Sequence, residues 1–393
     1  MSGYVSISAC RPLPCLGRTR VLIKPLVMAA AAQTHSACNK LVYAADRVRE
    51  TSQYTVKIAL GPTTVTQADG LLPTEDPLQL TLIYPVEGVD PELPWIYLLP
   101  GANCYSQDYT FLETHLACQG YLVAMVDQLH PVTPEYAPCL SPVREPQCPS
   151  NSWGTVTAAA LNDTYNFLAV CSQQGAATPG PTPFGPPVPE AVVMAMQQLN
   201  LDSVVMIAHS LGAKIGCLLL SGLADSGEDL YCSNYSRILD SEGNDILKGL
   251  IAFDGCNSMT LTEAHPITIP ESAFLTYVTT KECPNGNLIK RGYEKTEGQQ
   301  VQYIELSSGN HYAINDWNPA SAPHQRAPCG LDGGSSETTT TQEEQEERLV
   351  YIAQFVDAKI RAAVLHDSSA ASFLKNHLQS NRVLVRNRSG QKE

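Results

Sequence analysis

Short strand-like segments alternate with helical segments along most of this 393-residue chain, and this alternation restricts the available folds more than any other feature. Strand-like segments such as 95–99 (WIYLL) and 204–208 are apolar throughout, which is typical of strands buried on both faces of a parallel sheet. Two earlier segments, 54–60 and 79–86, have the pattern of antiparallel strands. We therefore predict an α/β fold with a mostly parallel central sheet, an antiparallel N-terminal edge and helices on both faces.

The other predicted elements follow in the same alternating order. Further strands are predicted at 121–126, 250–253, 274–279 and 301–306. Helices are predicted at 106–119, 153–171, 191–199, 211–223 and 348–361, where apolar residues recur with helical spacing.

The charge balance excludes a protein that binds nucleic acid. The chain has 39 acidic and 25 basic residues and a net charge of −14, whereas binding to nucleic acid needs clustered Lys and Arg. Only 16% of the residues are charged, below the roughly 25% of an average soluble domain, so a less ionic surface is expected.

No segment approaches the roughly 18 consecutive apolar residues that a membrane-spanning helix needs.

The cysteines do not indicate a metal or redox site. The chain has 13 cysteines, and none of them forms a C-x-x-C pair, so zinc and thioredoxin-like sites have no support. A disulfide between Cys139 and Cys148 is one alternative, but scattered buried or free thiols are the favoured interpretation. No cofactor and no metal ion is predicted.

Composition divides the chain into three parts. Residues 1–45 contain five basic residues and no acidic one, which is typical of a transit peptide; a disordered leader is the alternative. Residues 46–365 form the predicted folded domain, and residues 366–393 a basic, flexible tail. Three segments interrupt the domain: a Pro-rich insertion at 174–190, an acidic insertion at 224–246 and a low-complexity loop at 330–347.

A serine lies between a predicted strand and a predicted helix. The sequence Ala208-His209-Ser210-Leu211-Gly212 follows the strand SVVMI and begins the helix GAKIGCLLL, as in the nucleophile elbow G-x-S-x-G with Ala in place of the first Gly. In this context Ser210 is predicted to be a nucleophile, and helix capping is the alternative role. The adjacent His209 is interpreted as a packing residue of the turn, since its side chain should point away from the Ser210 hydroxyl.

A serine nucleophile needs a general base and an acid that orients it. His311 follows the strand VQYIEL late in the chain, which agrees with the order Ser, acid, His; a surface histidine is the alternative. Asp254 ends the strand LIAFD, and Glu282 ends FLTYVTTKE. Asp254 is preferred as the acid because its strand and turn are shorter, and Glu282 remains the alternative.

Hydrolysis of an ester also needs two backbone N–H groups that bind the oxyanion. Leu211, directly after the nucleophile at the start of a helix, is one candidate. The second is expected in the loop Pro100-Gly101-Ala102-Asn103 after the strand WIYLL, and Ala102 is the predicted donor. A plain turn is the alternative interpretation of this Pro-Gly sequence.

From about residue 79 to 365 the chain resembles the chlorophyllase family. The matching segments are PWIYLLPGANCYSQDYTFLETHLACQGYLVAMVDQ, LDSVVMIAHSLGAKIG, LKGLIAFDG and SGNHYAINDW. The resemblance implies an α/β-hydrolase fold, a Ser210–Asp254–His311 triad, hydrolysis of chlorophyll to chlorophyllide and phytol, and a plastid location. The sequence departs from the family where Ala208, Leu211 and Ala213 replace Gly, Arg and Gly, and where Pro100 replaces a histidine.

The sequence thus predicts a serine esterase that acts on the phytyl ester of chlorophyll, an apolar small-molecule substrate, through an acyl-enzyme. Contact with a membrane surface is a further hypothesis, because chlorophyll is a membrane pigment. Three alternatives stay open. They are a general lipid or carboxyl esterase, similar to platelet-activating-factor acetylhydrolases or dienelactone hydrolases, a non-catalytic protein that binds pigment or lipid, and a scaffold that recruits partners through the 330–347 loop.

Overall fold

The computed structural model describes the elements that carry the predicted sheet and site. The described residues are 49–58, 78–101, 104–127, 152–173, 188–221, 245–255, 267–280, 286–306, 311, 313–316, 342–380 and 384–387. The predicted leader 1–45 and most of the three predicted insertions lie outside them.

Nine strands form one mixed sheet in this part of the chain. The strands are β1 (Thr51–Ile58), β2 (Leu78–Pro85), β3 (Pro94–Leu99), β4 (Val123–Val126), β5 (Asn200–His209), β6 (Leu247–Phe253), β7 (Phe274–Thr280), β8 (Val301–Leu306) and β9 (Leu384–Asn387). Their order across the sheet is β1-β2-β4-β3-β5-β6-β7-β8-β9. Strands β4, β3, β5, β6, β7 and β8 are mutually parallel, and β1, β2 and β9 add antiparallel edges.

Helices pack against both faces of the sheet. The helices are α1 (Thr110–Cys118), α2 (Ser152–Gln173), α3 (Glu190–Met196), α4 (Leu211–Ser221), α5 (Gly286–Lys295), α6 (Gln342–Val364) and α7 (Ser368–Ser380). Along β3, Trp95 and Tyr97 belong to the apolar core shared with α2 to α5. Ile96 and Leu98 belong to the core on the other face, which α1 and α6 cover. The predicted α/β architecture, with its parallel centre and antiparallel N-terminal edge, is confirmed.

The C-terminal tail contains a helix and a strand, so the prediction of a flexible tail from residue 366 onwards was wrong for these two segments. Helix α7 begins after Asp367, whose carboxylate accepts the backbone N–H groups of Ser369 and Ala370. Such capping satisfies two N–H groups at the start of the helix. Residues of β9 extend the sheet by pairing with β8, a long-range contact that a short basic sequence does not indicate.

One helix extends beyond its predicted bounds at both ends, and another was not predicted. The closing helix, predicted at 348–361, spans Gln342–Val364, so the last residues of the predicted 330–347 loop are helical. Glu343 and Glu344 lie in its first turn, where negative charge is favourable. Helix α5 was not predicted because Pro284, Asn285 and Gly286 suggest a turn, yet one face of this helix is buried against the core.

Two further observations concern membranes and thiols. Within the described residues, no helix combines the length and apolar character that crossing a membrane requires. Cys118 at the end of α1 is disulfide-bonded, whereas Cys104, Cys171 and Cys217 are buried thiols that form no disulfide. The expectation of scattered thiols therefore fails for Cys118.

Candidate active site

Four parallel strands bring the predicted site residues to one edge of the sheet. Gly101 follows β3, Ser210 follows β5, Asp254 follows β6 and His311 lies in the loop after β8. Since β3, β5, β6, β7 and β8 are neighbours in the sheet, their carboxyl ends lie side by side. Ligands of open α/β sheets bind in the crevice at this edge.

Ser210 occupies a strained turn between β5 and α4. Its φ angle is 53°, in the left-handed region that costs a non-glycine residue about 1–3 kcal/mol. Its backbone N–H donates to the Phe253 carbonyl at 2.9 Å, which fixes the turn to β6. Gly212 permits the close approach of α4 to the end of β3, because a Cβ there would lie 2.5 Å from the Pro100 carbonyl oxygen.

His311 contacts the serine hydroxyl. Its Nε2 lies 2.8 Å from Ser210 Oγ, although 101 residues separate the two in the sequence. The side chain of His311 is partly exposed, so the imidazole can exchange protons with a substrate in the crevice. The distance is that of a hydrogen bond between a hydroxyl and an imidazole, a contact that activation of a serine requires.

The loop that carries His311 is anchored by hydrogen bonds to α6 and to α1. Gln345 of α6 donates through Nε2 to the Ala313 and Asn315 carbonyls at 3.1 and 2.6 Å. The Asp316 carboxylate accepts the Phe111 N–H near the start of α1 at 3.0 Å. These contacts restrict the backbone just after His311, so they help to keep its imidazole at the serine.

Asp254 is a buried carboxylate with several donors. The Thr280 N–H and the Thr279 hydroxyl donate to its Oδ1 at 2.9 and 3.1 Å, and the Thr280 hydroxyl donates to Oδ2 at 3.0 Å. Burial raises the pKa of Asp254 above the usual value, while the charge of nearby His311 and these hydrogen bonds oppose the shift. Like Ser210, Asp254 has a positive φ angle, 44°.

Backbone strain therefore concentrates at this edge. Of the three non-glycine residues with positive φ among those the structure describes, two are Ser210 and Asp254. Strained backbone conformations persist where surrounding structure fixes them, and they cluster at functional sites.

His209 has a larger role than the packing residue predicted from the sequence. Its Nδ1 lies 2.9 Å from the Tyr109 hydroxyl, and its Nε2 lies 2.7 Å from the His311 carbonyl oxygen. The Tyr109 hydroxyl also accepts the Gly101 N–H at 2.9 Å. The prediction that His209 does not serve Ser210 as a base agrees with these contacts, since both ring nitrogens have other partners.

Two of the predicted site residues lie outside the described residues, namely Ala102 and the alternative acid Glu282. Leu211 is the first residue of α4, so its N–H has no acceptor within the helix, as an oxyanion donor requires. The Gly101 N–H is engaged by Tyr109. The Gly101 N–H is therefore not free to bind an oxyanion, and Ala102 as the second donor stays a prediction.

Several acidic side chains lie beside the His311 loop. The Ser106 hydroxyl donates to the buried Glu113 carboxyl at 3.0 Å, and the Ser106 N–H donates to Asp127 at 2.6 Å. Burial raises the pKa of Glu113 well above its usual value, and the charges of Asp316 and Asp127 add to this shift. Burial also raises the pKa of Asp316 to about 7, and Asp108 contributes.

These acids do not form a metal site. Across the described ranges, no group of three or more His, Cys, Asp and Glu side chains is arranged to hold a metal ion.

Sequence analysis missed Tyr109, the Thr279–Thr280 pair and Gln345, which position the predicted residues. The two threonines at the end of β7, next to the strand of Asp254, were the only sequence signal for such a role.

Comparison with known proteins adds no family. No family model matches the chain, and no curated protein matches it at a significant level. The chemical interpretation therefore rests on the site itself: a hydroxyl in contact with an imidazole, a buried carboxylate whose pKa the imidazole affects, and a helix N-terminus beside the hydroxyl.

Proposed function

We propose that this protein is a serine esterase of the α/β-hydrolase fold in which Ser210, His311 and Asp254 act as nucleophile, general base and orienting acid. The observation that carries the proposal is the 2.8 Å contact between Ser210 Oγ and His311 Nε2. Support also comes from the chain order Ser, Asp, His and from the strand-to-helix turn at Ser210, both typical of that fold.

In the proposed first step, Ser210 Oγ attacks the ester carbonyl carbon and its proton moves to His311 Nε2. The carbonyl oxygen becomes an oxyanion, which the N–H of Leu211 and that of Ala102 would stabilise. The intermediate collapses when the bond to the alcohol oxygen breaks. His311 Nε2 then donates its proton to this oxygen, so the alcohol leaves and the acyl group stays on Ser210.

Water completes the proposed cycle. His311 Nε2 takes a proton from a water molecule, and the resulting hydroxide attacks the acyl carbon. The bond between that carbon and Ser210 Oγ breaks, the proton returns to Oγ and the carboxylic acid leaves. Asp254 stabilises the imidazolium that forms twice during the cycle and keeps the ring oriented without being protonated itself. This chemistry requires no metal ion or cofactor from the protein.

For the substrate we propose the phytyl ester of chlorophyll. Phytol would be the leaving alcohol, and chlorophyllide would form the acyl-enzyme and then the acid product. The support is the resemblance to the chlorophyllase family over residues 79–365, together with the low proportion of charged residues, which suits an apolar ligand. We extend the proposal to a chloroplast location, with residues 1–45 as a transit peptide, and to peripheral contact with the membrane that holds the pigment.

The substrate proposal is tested by comparing two ester classes on the purified protein. Chlorophyll a in detergent micelles should give chlorophyllide, measured by phase partition and absorbance, at a higher kcat/KM than short p-nitrophenyl esters. Fast cleavage of the short esters without chlorophyllide would instead support a general esterase. The Ser210→Ala variant is the control, since both activities must disappear with it if they use this site.

A further inference from the structure

We infer that His209 is a positioning residue, which fixes the backbone of the general base His311 and joins it to the loop after β3. The inference rests on the proposed function, because it concerns how the base is held. His209 is next to the serine in sequence, but its ring is turned toward Tyr109 and His311. The rings of His209 and His311 are 4.9 Å apart between centroids.

For a neutral His209 ring, the surrounding hydrogen bonds allow only one set of proton positions. The His311 carbonyl can only accept, so His209 Nε2 must carry a proton and donate to it. In a neutral ring, Nδ1 is then an acceptor, so the Tyr109 hydroxyl donates to it. That hydroxyl in turn accepts the Gly101 N–H. The resulting series of hydrogen bonds runs from Gly101 through Tyr109 and His209 to His311.

The neutral state of His209 agrees with this assignment. The side chain is 1% exposed, and burial lowers its pKa to about 3, with the charge of His311 as a second cause. A neutral ring can accept at one nitrogen and donate at the other, whereas a doubly protonated ring would leave Nδ1 without an acceptor role. His209 therefore keeps its tautomer while His311 gains and loses a proton during the proposed cycle.

The residues around the ring leave it little freedom to move. A Cβ at position 101 would lie 2.9 Å from His209 Nδ1, so the loop after β3 packs directly on the ring. The loop that holds the proposed oxyanion donor and the loop that holds the base thus contact the same side chain. If the ring is lost, the His311 carbonyl loses the hydrogen bond from His209 Nε2.

Two substitutions separate the two nitrogens of His209. Gln places an amide N–H near the position of Nε2 and can still donate to the His311 carbonyl, whereas Asn reaches only the position of Nδ1. We expect His209→Asn to lower kcat for chlorophyll a by about 10²-fold, a typical effect of misplacing a catalytic group, with KM changed less than about threefold. His209→Gln should keep kcat within about fivefold of the wild type. The rate of fluorophosphonate labelling at Ser210 should change in parallel.

Tyrosine variants test the other end of this hydrogen-bond series. Tyr109→Phe removes the donor to Nδ1 and the acceptor of Gly101, so we expect a loss of about tenfold in kcat. Tyr97→Phe is the matched control, because Tyr97 of β3 is as buried as Tyr109 and takes no part in the series. The kcat of this variant should equal that of the wild type. Thermal melting shows whether each variant folds.

The outcomes separate this inference from the proposed function. A wild-type protein that neither labels at Ser210 nor hydrolyses an ester overturns both. An active wild type with a fully active His209→Asn variant overturns only the positioning role. The same holds if His209→Gln is as slow as His209→Asn, since the ring shape, and not the Nε2 donor, would then matter. If the Asn variant does not fold, the kcat values of His209→Gln and Tyr109→Phe test the positioning role. Values that differ from those expected above would overturn it.

Discussion

Two buried carboxyl groups, those of Asp254 and Glu113, interact with residues of the His311 loop, and the groups that surround them differ. Asp254 has three donors, from Thr279 and Thr280, and it is close enough to His311 for the charge of the ring to lower its pKa. Glu113 accepts from the Ser106 hydroxyl, and its charged neighbours Asp316 and Asp127 are acidic.

The difference shows that burial alone does not prepare a carboxyl group for catalysis. Burial raises the pKa of both groups, because it disfavours the charged form. Donors and a nearby imidazole oppose that cost at Asp254, which favours a carboxylate that can stabilise an imidazolium. At Glu113 the neighbouring charges add to the cost, which favours the neutral form of a carboxyl group that hydrogen-bonds within the core. Four substitutions test this contrast.

The largest effect is expected for Asp254→Asn. The amide keeps the size of the side chain but cannot stabilise the imidazolium or select the His311 tautomer. The equivalent change in a serine protease triad lowers kcat by about 10⁴-fold, and we expect a similar loss for ester hydrolysis here. The measurement is kcat at pH 7 on chlorophyll a. A loss smaller than tenfold would mean that a different group, such as the alternative acid Glu282, orients the base.

Asp316→Asn should change stability in a pH-dependent way. With a pKa of about 7 in the folded protein and about 3.9 in the unfolded chain, the folded state binds the proton more tightly between these values. The contribution of Asp316 to the free energy of unfolding of the wild type therefore falls as the pH rises through this window. Asn cannot titrate, so the variant should be more stable at pH 8 and similar near pH 4. Because Asp316 is only partly buried, we expect a difference of about 2 kcal/mol.

Urea denaturation of both proteins at pH 4.5, 6 and 8 measures this difference. Asn can still accept the Phe111 N–H, so the His311 loop should stay anchored and kcat should change little. A variant that is less stable than the wild type at pH 8 would contradict the account, because the Asp316 charge would then be a favourable cap of α1.

A smaller effect is expected for Thr280→Val, which removes one of the hydroxyl donors to Asp254 without changing the shape of the side chain. The pKa of Asp254 should rise further, and kcat should fall about tenfold, as the loss of one hydrogen bond to a charged group predicts. Thr276→Val on the same strand is the matched control, since the buried Thr276 hydroxyl has no hydrogen-bond partner among the described residues. Equal activities of the two variants would argue against the role of Thr280.

The smallest effect is expected for Glu113→Gln. Since burial and nearby acids favour the neutral form of Glu113, the amide should replace it with a change in kcat below threefold and in stability below about 1 kcal/mol. The pH dependence of kcat should stay that of the wild type. If this variant lost activity as Asp254→Asn does, the two buried acids would not differ in the way described above.

Much of the sheet and the order of the site residues could be predicted from the sequence. Apolar segments such as 95–99 and 204–208 determined the strands, because a strand buried on both faces needs apolar residues throughout. The turn at Ser210 was also recognisable, since a serine between a strand and a helix, followed closely by Gly212, is typical of a nucleophile elbow. Asp254 and His311 followed from their places after later strands.

Contacts between distant residues could not be predicted in this way. Tyr109 and His209 are 100 residues apart, and nothing in the local sequence of either indicates the contact. The pairing of β9 with β8 is equally remote, so a basic segment that is unremarkable by itself became part of the sheet. Helix α5 was missed because its local turn signals oppose the burial of Ile289 and Tyr293, which only the assembled core provides.

Labelling with a fluorophosphonate tests the central claim most directly, because this reagent reacts with a serine that a base has activated and needs no knowledge of the substrate. The account predicts one adduct per protein, located at Ser210 by peptide mass spectrometry, absent in Ser210→Ala and formed much more slowly in His311→Ala. A folded wild-type protein that forms no adduct, or whose adduct persists in Ser210→Ala, would contradict it.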